Sequence, residues 1–271
     1  MKILCIGDIV GRPGRLAVKE IVPQLKKEFK LDYVVANAEN AAAGAGLSTR
    51  LAKELLSYGC DVLTLGDHVW DQKDLEVFLN ETSNVIRPAN FPEGVPGRGW
   101  CVVKKDKLPP LAVTNLLGRT FMRYHLPCPF RTLDAIIEEI KKQATVVILD
   151  MHAEATSEKV AMGYFADGRI SAVVGTHTHI QTADERILPQ NTAYITDLGM
   201  TGPYDSVIGQ DKESIIRRYL MSMPLKHHVA SGDVQLNGVI VEVDEGTGKA
   251  VAIERVRRAL AADLAETTAE E

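Results

Sequence analysis

The chain has 271 residues, 45% hydrophobic and 25% charged, which suits one large α/β domain with a substantial core. Its formal net charge of −5 argues against a global basic field, so no stable nucleic-acid complex is expected. No apolar stretch is long enough to span a membrane, and no strong linker divides the chain, so one domain over 1–258 is expected.

Short β-branched runs alternate with helical patterns, which predicts βαβ units and a mainly parallel sheet. The first run, Ile3-Leu4-Cys5-Ile6-Gly7, stops at Asp8. Gly11-Arg12-Pro13-Gly14 then leads into a helix over about 15–29, which Pro23 should bend or delay. The second run, Tyr33-Val34-Val35-Ala36, stops at Asn37-Ala38-Glu39-Asn40. Ser48 caps a helix over about 49–58, and the third run, Val62-Leu63-Thr64-Leu65-Gly66, stops at Asp67-His68. Asp71-Gln72-Lys73-Asp74 opens a short helix through Leu79. Prolines punctuate 85–130, leaving short strands near 100–105 and 111–116 and a long loop over 118–130, of a kind often functional.

A helix near 131–142 precedes the fourth run, Val146-Val147-Ile148-Leu149, which ends in Asp150-Met151-His152. A helix near 155–166 precedes the fifth, Ala172-Val173-Val174-Gly175, which ends in Thr176-His177-Thr178-His179. Strands follow near 192–196, 234–243 and 250–256, the last two antiparallel across 244–248. The acidic, Ala-rich tail over 259–271 reads as a frayed helix or as disordered chain.

The five endings supply carboxylates, amides and four of the seven histidines. They predict one convergent site at one edge of one sheet, outside the carboxyl ends of its strands. Asp8 suits a turn cap or a ligand for a hard or borderline cation. Glu39 has two oxygens that can bridge two cations, and the Asn40 amide can complete a shell without adding charge. Asp67 and His68 set a ligand beside a proton donor, and Asp150 is either an orienting partner for His152 or a strand-end aspartate. His177 and His179, two apart, can straddle neighbouring metals, whereas His125, His227 and His228 have no comparable context.

Carboxylate, amide and imidazole donors without thiolates suit Mn, Fe or Zn better than Ca or a structural Zn site, and Fe or Mn is expected, with Zn or Mg as alternatives. The donors exceed what one ion needs, so two ions about 4 Å apart are expected, suited to a phosphoryl group and a hydroxide nucleophile. Neither glycine-rich segment is a nucleotide loop: around Asp8 the spacing is not G-x-G-x-x-G, and Ala43-Gly44-Ala45-Gly46-Leu47-Ser48-Thr49 lacks the Gly-Lys-Ser/Thr ending. The four cysteines form no C-x-x-C pair and read as reduced thiols. Asp8 interrupts the first run too soon for a secretion signal, so a cytoplasmic location is expected.

Together, Gly7-Asp8-Ile9-Val10-Gly11, Asn37-Ala38-Glu39-Asn40, Leu65-Gly66-Asp67-His68-Val69-Trp70, Asn115-Leu116-Leu117-Gly118-Arg119, the 150–159 segment, Gly175-Thr176-His177-Thr178-His179 and the 196–203 segment resemble the calcineurin-like metallophosphoesterases. The closer match is the bacterial YmdB-type branch, over nearly the whole chain. Val10 replaces the histidine of the superfamily's opening D-x-H, and Glu39 replaces a bridging Asp, both as in that branch.

The resemblance implies a β-sheet sandwich flanked by helices, with the active site at the carboxyl ends of the strands. It implies one metal on Asp8, Glu39, Asn40 and His179, a second on Glu39, Asp67, His152 and His177, and His68 as the acid for the leaving oxygen. Asp67 departs from the family's usual Asn. The implied activity is hydrolysis of 2′,3′-cyclic or 3′,5′-cyclic nucleotides by in-line attack of a metal-bridging hydroxide. The alternatives are a broad phosphomonoesterase and a metal-binding regulatory protein with weak residual activity. Phe121, Tyr124 and Phe130 in the long loop either stack on a base or pack the loop onto the core, and a homo-oligomer is compatible with the sequence.

Overall fold

A computed structural model describes residues 1–261 except 225 and 227. In chain order the elements begin β1 (Lys2–Ile6), β2 (Asp8–Ile9), α1 (Gly11–Phe29), β3 (Tyr33–Asn37), α2 (Thr49–Ser57), β4 (Val62–Thr64), α3 (Leu75–Glu81) and β5 (Val85–Ile86). Next come β6 (Trp100–Val103), β7 (Leu111–Leu117), α4 (Pro129–Lys141), β8 (Val146–His152), α5 (Thr156–Ala166) and β9 (Ala172–Thr176). The remainder is β10 (Arg186–Ile187), β11 (Ala193–Ile195), β12 (Met200–Pro203), α6 (Lys212–Met221), β13 (Val234–Val243) and β14 (Ala250–Ala259).

Two sheets pack face to face. The first has the order β2-β12-β13-β1-β3-β4-β5, with β14 also on β13, and the second has the order β10-β11-β9-β8-β7-β6. Each has a parallel centre, β1-β3-β4-β5 in one and β7-β8-β9-β11 in the other. Their inner faces interdigitate Ile3, Cys5, Tyr33 and Val35 with Val113, Ile148, Val174 and Ala193. On the outer face of the first sheet, Leu4, Ile6, Val34 and Ala36 meet Val18, Val22, Leu25, Leu51 and Leu55 of α1 and α2. Leu133 and Ile137 of α4 and Met162 of α5 cover the second sheet in the same way. Strands buried on both faces read as unbroken apolar runs.

The expected single sheet is therefore corrected to two. β1, β3 and β4 belong to one, β8 and β9 to the other, and a run buried on both faces carries no mark of its sheet. α1 starts at Gly11, earlier than 15, because Pro13 lies in the first turn, where its missing N–H has no intrahelical partner to lose. Pro23 sits inside α1 without ending it. α3 starts at Leu75, since Asp71 turns to His68 and Arg123 while Asp74 accepts from the Thr49 amide.

Ser48 caps α2 by accepting from the Leu51 amide. β13 and β14 form the expected antiparallel pair, and β14 runs to Ala259, with Leu260 buried against the α1 side. The tail from 262 onward, and His227, lie outside the described residues. Cys5, Cys60 and Cys101 are buried free thiols, and burial pushes Cys60 and Cys101 up to about 12. No helix among the described residues is long and apolar enough to cross a membrane.

Candidate metal centre

The carboxyl ends of the two sheets meet. Asp8, Glu39, Asn40, Asp67 and His68 follow strands of the first sheet, while His152 ends β8 and His177 and His179 follow β9. Among the hydrogen bonds that cross the seam, Thr64 and Asn37 both donate to Asp150 Oδ2. Gly66 permits the approach, since a Cβ there would lie 2.2 Å from Glu39 Oε2 and 2.3 Å from His152 Nε2.

Glu39, Asp67, His152 and His177 each direct one ligand-capable atom into a common space, all within 4.8 Å of one another. His152 Nε2 lies 3.0 Å from Glu39 Oε1 and 3.2 Å from Asp67 Oδ1. His177 Nδ1 lies 3.4 Å from Asp67 Oδ1 and 3.1 Å from His152 Nε2. Beside this group, His179 Nε2 is 3.3 Å from Asn40 Oδ1 and 3.9 Å from Asp8 Oδ1. All seven sequence-derived ligand candidates thus gather at one place, four of them in the tight group. His125 and His228 take no part in it.

The far side of each ring fixes its tautomer. Thr176 spends its only hydroxyl hydrogen on Asp150 Oδ1, so at 2.8 Å it accepts from His152 Nδ1. His177 Nε2 lies 3.2 Å from the Glu154 carboxylate, and His179 Nδ1 lies 2.9 Å from the Ile208 carbonyl, both of which only accept. Each ring therefore spends one nitrogen on an acceptor behind it and turns the other inward, and two of these inward nitrogens stand 3.1 Å apart. Lone pairs at that distance repel unless a cation or a proton lies between them.

The charges agree. Burial opposes ionisation of His152, yet Glu39 and Asp67 hold it well above the ordinary histidine range, so the cluster takes up protons that a metal can replace. Burial pushes Asp8 up to about 7, with Asp197 and Glu39 adding to it. Asp8 Oδ2 accepts from the His177 amide, while the buried Oδ1 has no hydrogen-bond partner. Asn40 donates its amide hydrogen to the Gly44 carbonyl, which leaves Oδ1 facing His179. An orphan carboxylate oxygen, an amide oxygen and an imidazole lone pair fit a second cation. His177 and His179 hold φ of 100° and 66°, strained values for residues with a Cβ.

His68 stands beside the cluster rather than in it. Its amide donates to Glu39 Oε2 at 3.1 Å, and its ring Nδ1 lies 2.7 Å from Asp71 Oδ2. Asp150 acts on His152 through Thr176, not directly. Tyr124 packs against Phe91 and Phe130 against Phe165, whereas Phe121 is 87% exposed.

Sequence reasoning missed Thr176, Glu154, Asp71 and the buried Lys159–Asp197 pair. The pair is 2.7 Å long, and Asp197 also accepts from the Thr178 amide, between the two histidines. A signal existed for Thr176 and Asp71, since one directly precedes His177 and the other lies three residues after His68. Lys159 and Asp197 are separated by 38 residues, and nothing in the sequence joins them.

Residues 4–256 match the family model described as YmdB-like protein. The chain belongs to the YmdB-like family. This family is a branch of the metallophosphoesterase superfamily, and the chain is a phosphoesterase. A relative from Bacillus subtilis (strain 168), named 2′,3′-cyclic-nucleotide 2′-phosphodiesterase, is 52% identical over 256 residues, covering 94% of this chain and 96% of its own. A crystal structure of a hypothetical protein from Thermus thermophilus superposes with a TM-score of 0.89 at 41% identity, covering 96% of this chain and 99% of that one. A second, of a phosphatase from Mycoplasma pneumoniae, also has a TM-score of 0.89, at 38% identity, covering 96% and 93%. The helix-flanked sandwich is thus the architecture of these YmdB-like neighbours.

Proposed function

We propose that this protein hydrolyses cyclic nucleotides in the cytoplasm, through a domain spanning 1–258, with a 2′,3′-cyclic phosphodiester as the leading substrate and a 3′,5′-cyclic one as the second candidate. What carries the reading is the set of inward-facing lone pairs, in a chain 52% identical to a 2′,3′-cyclic-nucleotide 2′-phosphodiesterase.

Asp8, Glu39, Asn40 and His179 would hold one ion, and Glu39, Asp67, His152 and His177 the other, with Fe or Mn favoured by the donors. When bound, two such ions supply a nucleophilic hydroxide at neutral pH and neutralise charge on the phosphoryl oxygens. The protein's own part is placement. Glu39 presents Oε1 beside His152 while the His68 amide holds Oε2. His68, anchored at Nδ1 by Asp71, gives its Nε2 proton to the ribose oxygen as the P–O bond breaks. Phe121 is the loop aromatic left free to meet a base.

The test is metal analysis of anaerobically purified protein, followed on the same sample by a panel of cyclic nucleotides, bis-p-nitrophenyl phosphate and p-nitrophenyl phosphate. About two ions per chain and fastest turnover of a 2′,3′-cyclic nucleotide are expected. The phosphatase name of the Mycoplasma pneumoniae structure favours a second reading, a broad phosphomonoesterase, and faster cleavage of the monoester would establish it. Tight metal binding with no diester turnover would instead indicate a regulatory protein.

A further inference from the structure

The loop joining β7 to α4 is fastened to both halves of the centre. Arg123 Nη1 donates to Asp71 Oδ1 at 3.2 Å, and the other Asp71 oxygen holds His68 Nδ1 at 2.7 Å. One residue earlier, the buried Met122 accepts at Sδ from the amide of Glu154, whose carboxylate faces His177 Nε2 at 3.2 Å. One residue later, Tyr124 lies under the Arg123 guanidinium and packs edge-on against Phe91, which packs against Trp70, two residues from His68. Arg123 is thus held in place by its own neighbours, and its reach to Asp71 is fixed rather than opportunistic.

Arg123 is 54% exposed and Asp71 26% exposed at the side chain, so their ion pair adds little to stability. Geometry is a different matter. With one oxygen on the guanidinium and the other on the imidazole, the Asp71 carboxylate is restrained at both ends, and its orientation sets that of the imidazole. An error of about 1 Å in a catalytic group can cost about a hundredfold in rate. We propose that Arg123, acting through Asp71, is a positioning residue for His68, and that the 118–128 loop thereby governs protonation of the leaving oxygen. The inference rests on the reading of His68 as the group that protonates that oxygen.

In the balanced step a hydroxide oxygen bonds to phosphorus, the P–O(ribose) bond breaks, and the ribose oxygen takes the His68 Nε2 proton. His68 keeps the Nδ1 hydrogen that Asp71 accepts. A ribose oxygen is a strong base and needs that proton, whereas p-nitrophenolate is a weak base and leaves without it. Misplacing His68 must therefore harm the two kinds of substrate unequally, while general damage to the site harms them alike.

The experiment compares wild type, His68→Ala, Asp71→Ala, Arg123→Ala and Arg123→Lys on a 2′,3′-cyclic nucleotide and on bis-p-nitrophenyl phosphate, at matched Mn content. On the cyclic nucleotide, kcat should fall about a hundredfold for His68→Ala and about tenfold for Arg123→Ala, with Asp71→Ala between them and KM within about twofold. Losses on bis-p-nitrophenyl phosphate should be several-fold smaller for every variant. Arg123→Lys should recover part of the loss, because an ammonium supplies the charge but not the fork.

Adding Arg123→Ala to His68→Ala should cost nothing more. Long-range ¹H–¹⁵N spectra of the metal-free protein should show His68 as one Nδ1–H tautomer in wild type and as a mixture in Arg123→Ala. Equal losses on the two substrates, or a KM rise without a kcat loss, would overturn the proposal. Should wild type cleave no diester, the proposed function fails, and the spectra alone decide: an unchanged His68 tautomer in Arg123→Ala overturns the positioning role.

Discussion

Asp8, Glu39, Asn40 and Asp67 leave the first sheet as oxygen donors, whereas His152, His177 and His179 leave the second as nitrogen donors, and the two sets are held by different means. Two of the carboxylates rest on main-chain donors, Asp8 on the His177 amide and Glu39 on the His68 amide. Each imidazole instead needs an acceptor behind it, and these are Thr176, Glu154 and the Ile208 carbonyl. A carboxylate offers a ligand oxygen in almost any orientation, but a histidine offers a lone pair only in one tautomer. Damage on the oxygen side should therefore come from the ligands themselves. On the nitrogen side it should also come from residues that never touch a metal.

The oxygen side breaks most completely at Glu39, the one residue assigned to both ions. Glu39→Gln is expected to lower kcat/KM on a cyclic nucleotide by about a thousandfold or more, and to lower metal content toward about one ion per chain. Activity and metal analysis on one preparation check both. Near-normal content with two ions would deny Glu39 its bridging place.

The nitrogen side has a deeper support in the fully buried Lys159–Asp197 pair, which clasps the Thr178 amide between His177 and His179. Lys159→Met leaves a carboxylate buried without its cation and should cost about 3–5 kcal/mol of stability, read from urea unfolding. Lys159→Met with Asp197→Leu should recover most of that stability, yet still bind metal less tightly, because the Thr178 amide has lost its acceptor. A milder break is Thr176→Val, which takes the acceptor from His152 Nδ1 without altering volume much. A loss of metal affinity of about 10–100-fold is expected, with the fold unchanged by circular dichroism.

The same contrast explains what was legible beforehand. The proposed ligands announce themselves, because Asp8, Glu39, Asp67, His152, His177 and His179 each lie at the end of an apolar run where a polar side chain is conspicuous. Their supports do not. Thr176 looks like an ordinary strand residue, Glu154 like an exposed loop acid, and Lys159 lies on a helix where a lysine normally meets solvent. Which sheet each ending leaves was equally hidden, since pairing partners such as Lys2 and Glu242 lie far apart in sequence. Two-residue strands such as β2 and β5 exist only through such pairing. Helix α6 was missed as well: Asp211 caps it, but only Ile215 of it is buried, so it shows a poor apolar stripe.

Asp67 is the ending that belongs least clearly to its own side, and it yields the smallest expected effect. It issues from the first sheet, but its Oδ1 lies against rings of the second, His152 at 3.2 Å and His177 at 3.4 Å. Burial would raise its pKa, yet those two rings, when their inward nitrogens carry protons, hold it far below the ordinary carboxylate range by hydrogen bond and by charge, so it enters the centre as a full charge. The YmdB-type pattern usually places a neutral Asn here. A carboxylate binds a cation more firmly than an amide does, but it lowers the cation's Lewis acidity and repels an incoming phosphate. Asp67→Asn should therefore weaken metal binding by about tenfold while raising kcat at saturating metal by about two- to threefold. Metal titration and turnover on the same samples separate the two effects. If neither quantity moves, Asp67 is no ligand, and the second ion rests on Glu39 and the two imidazoles alone.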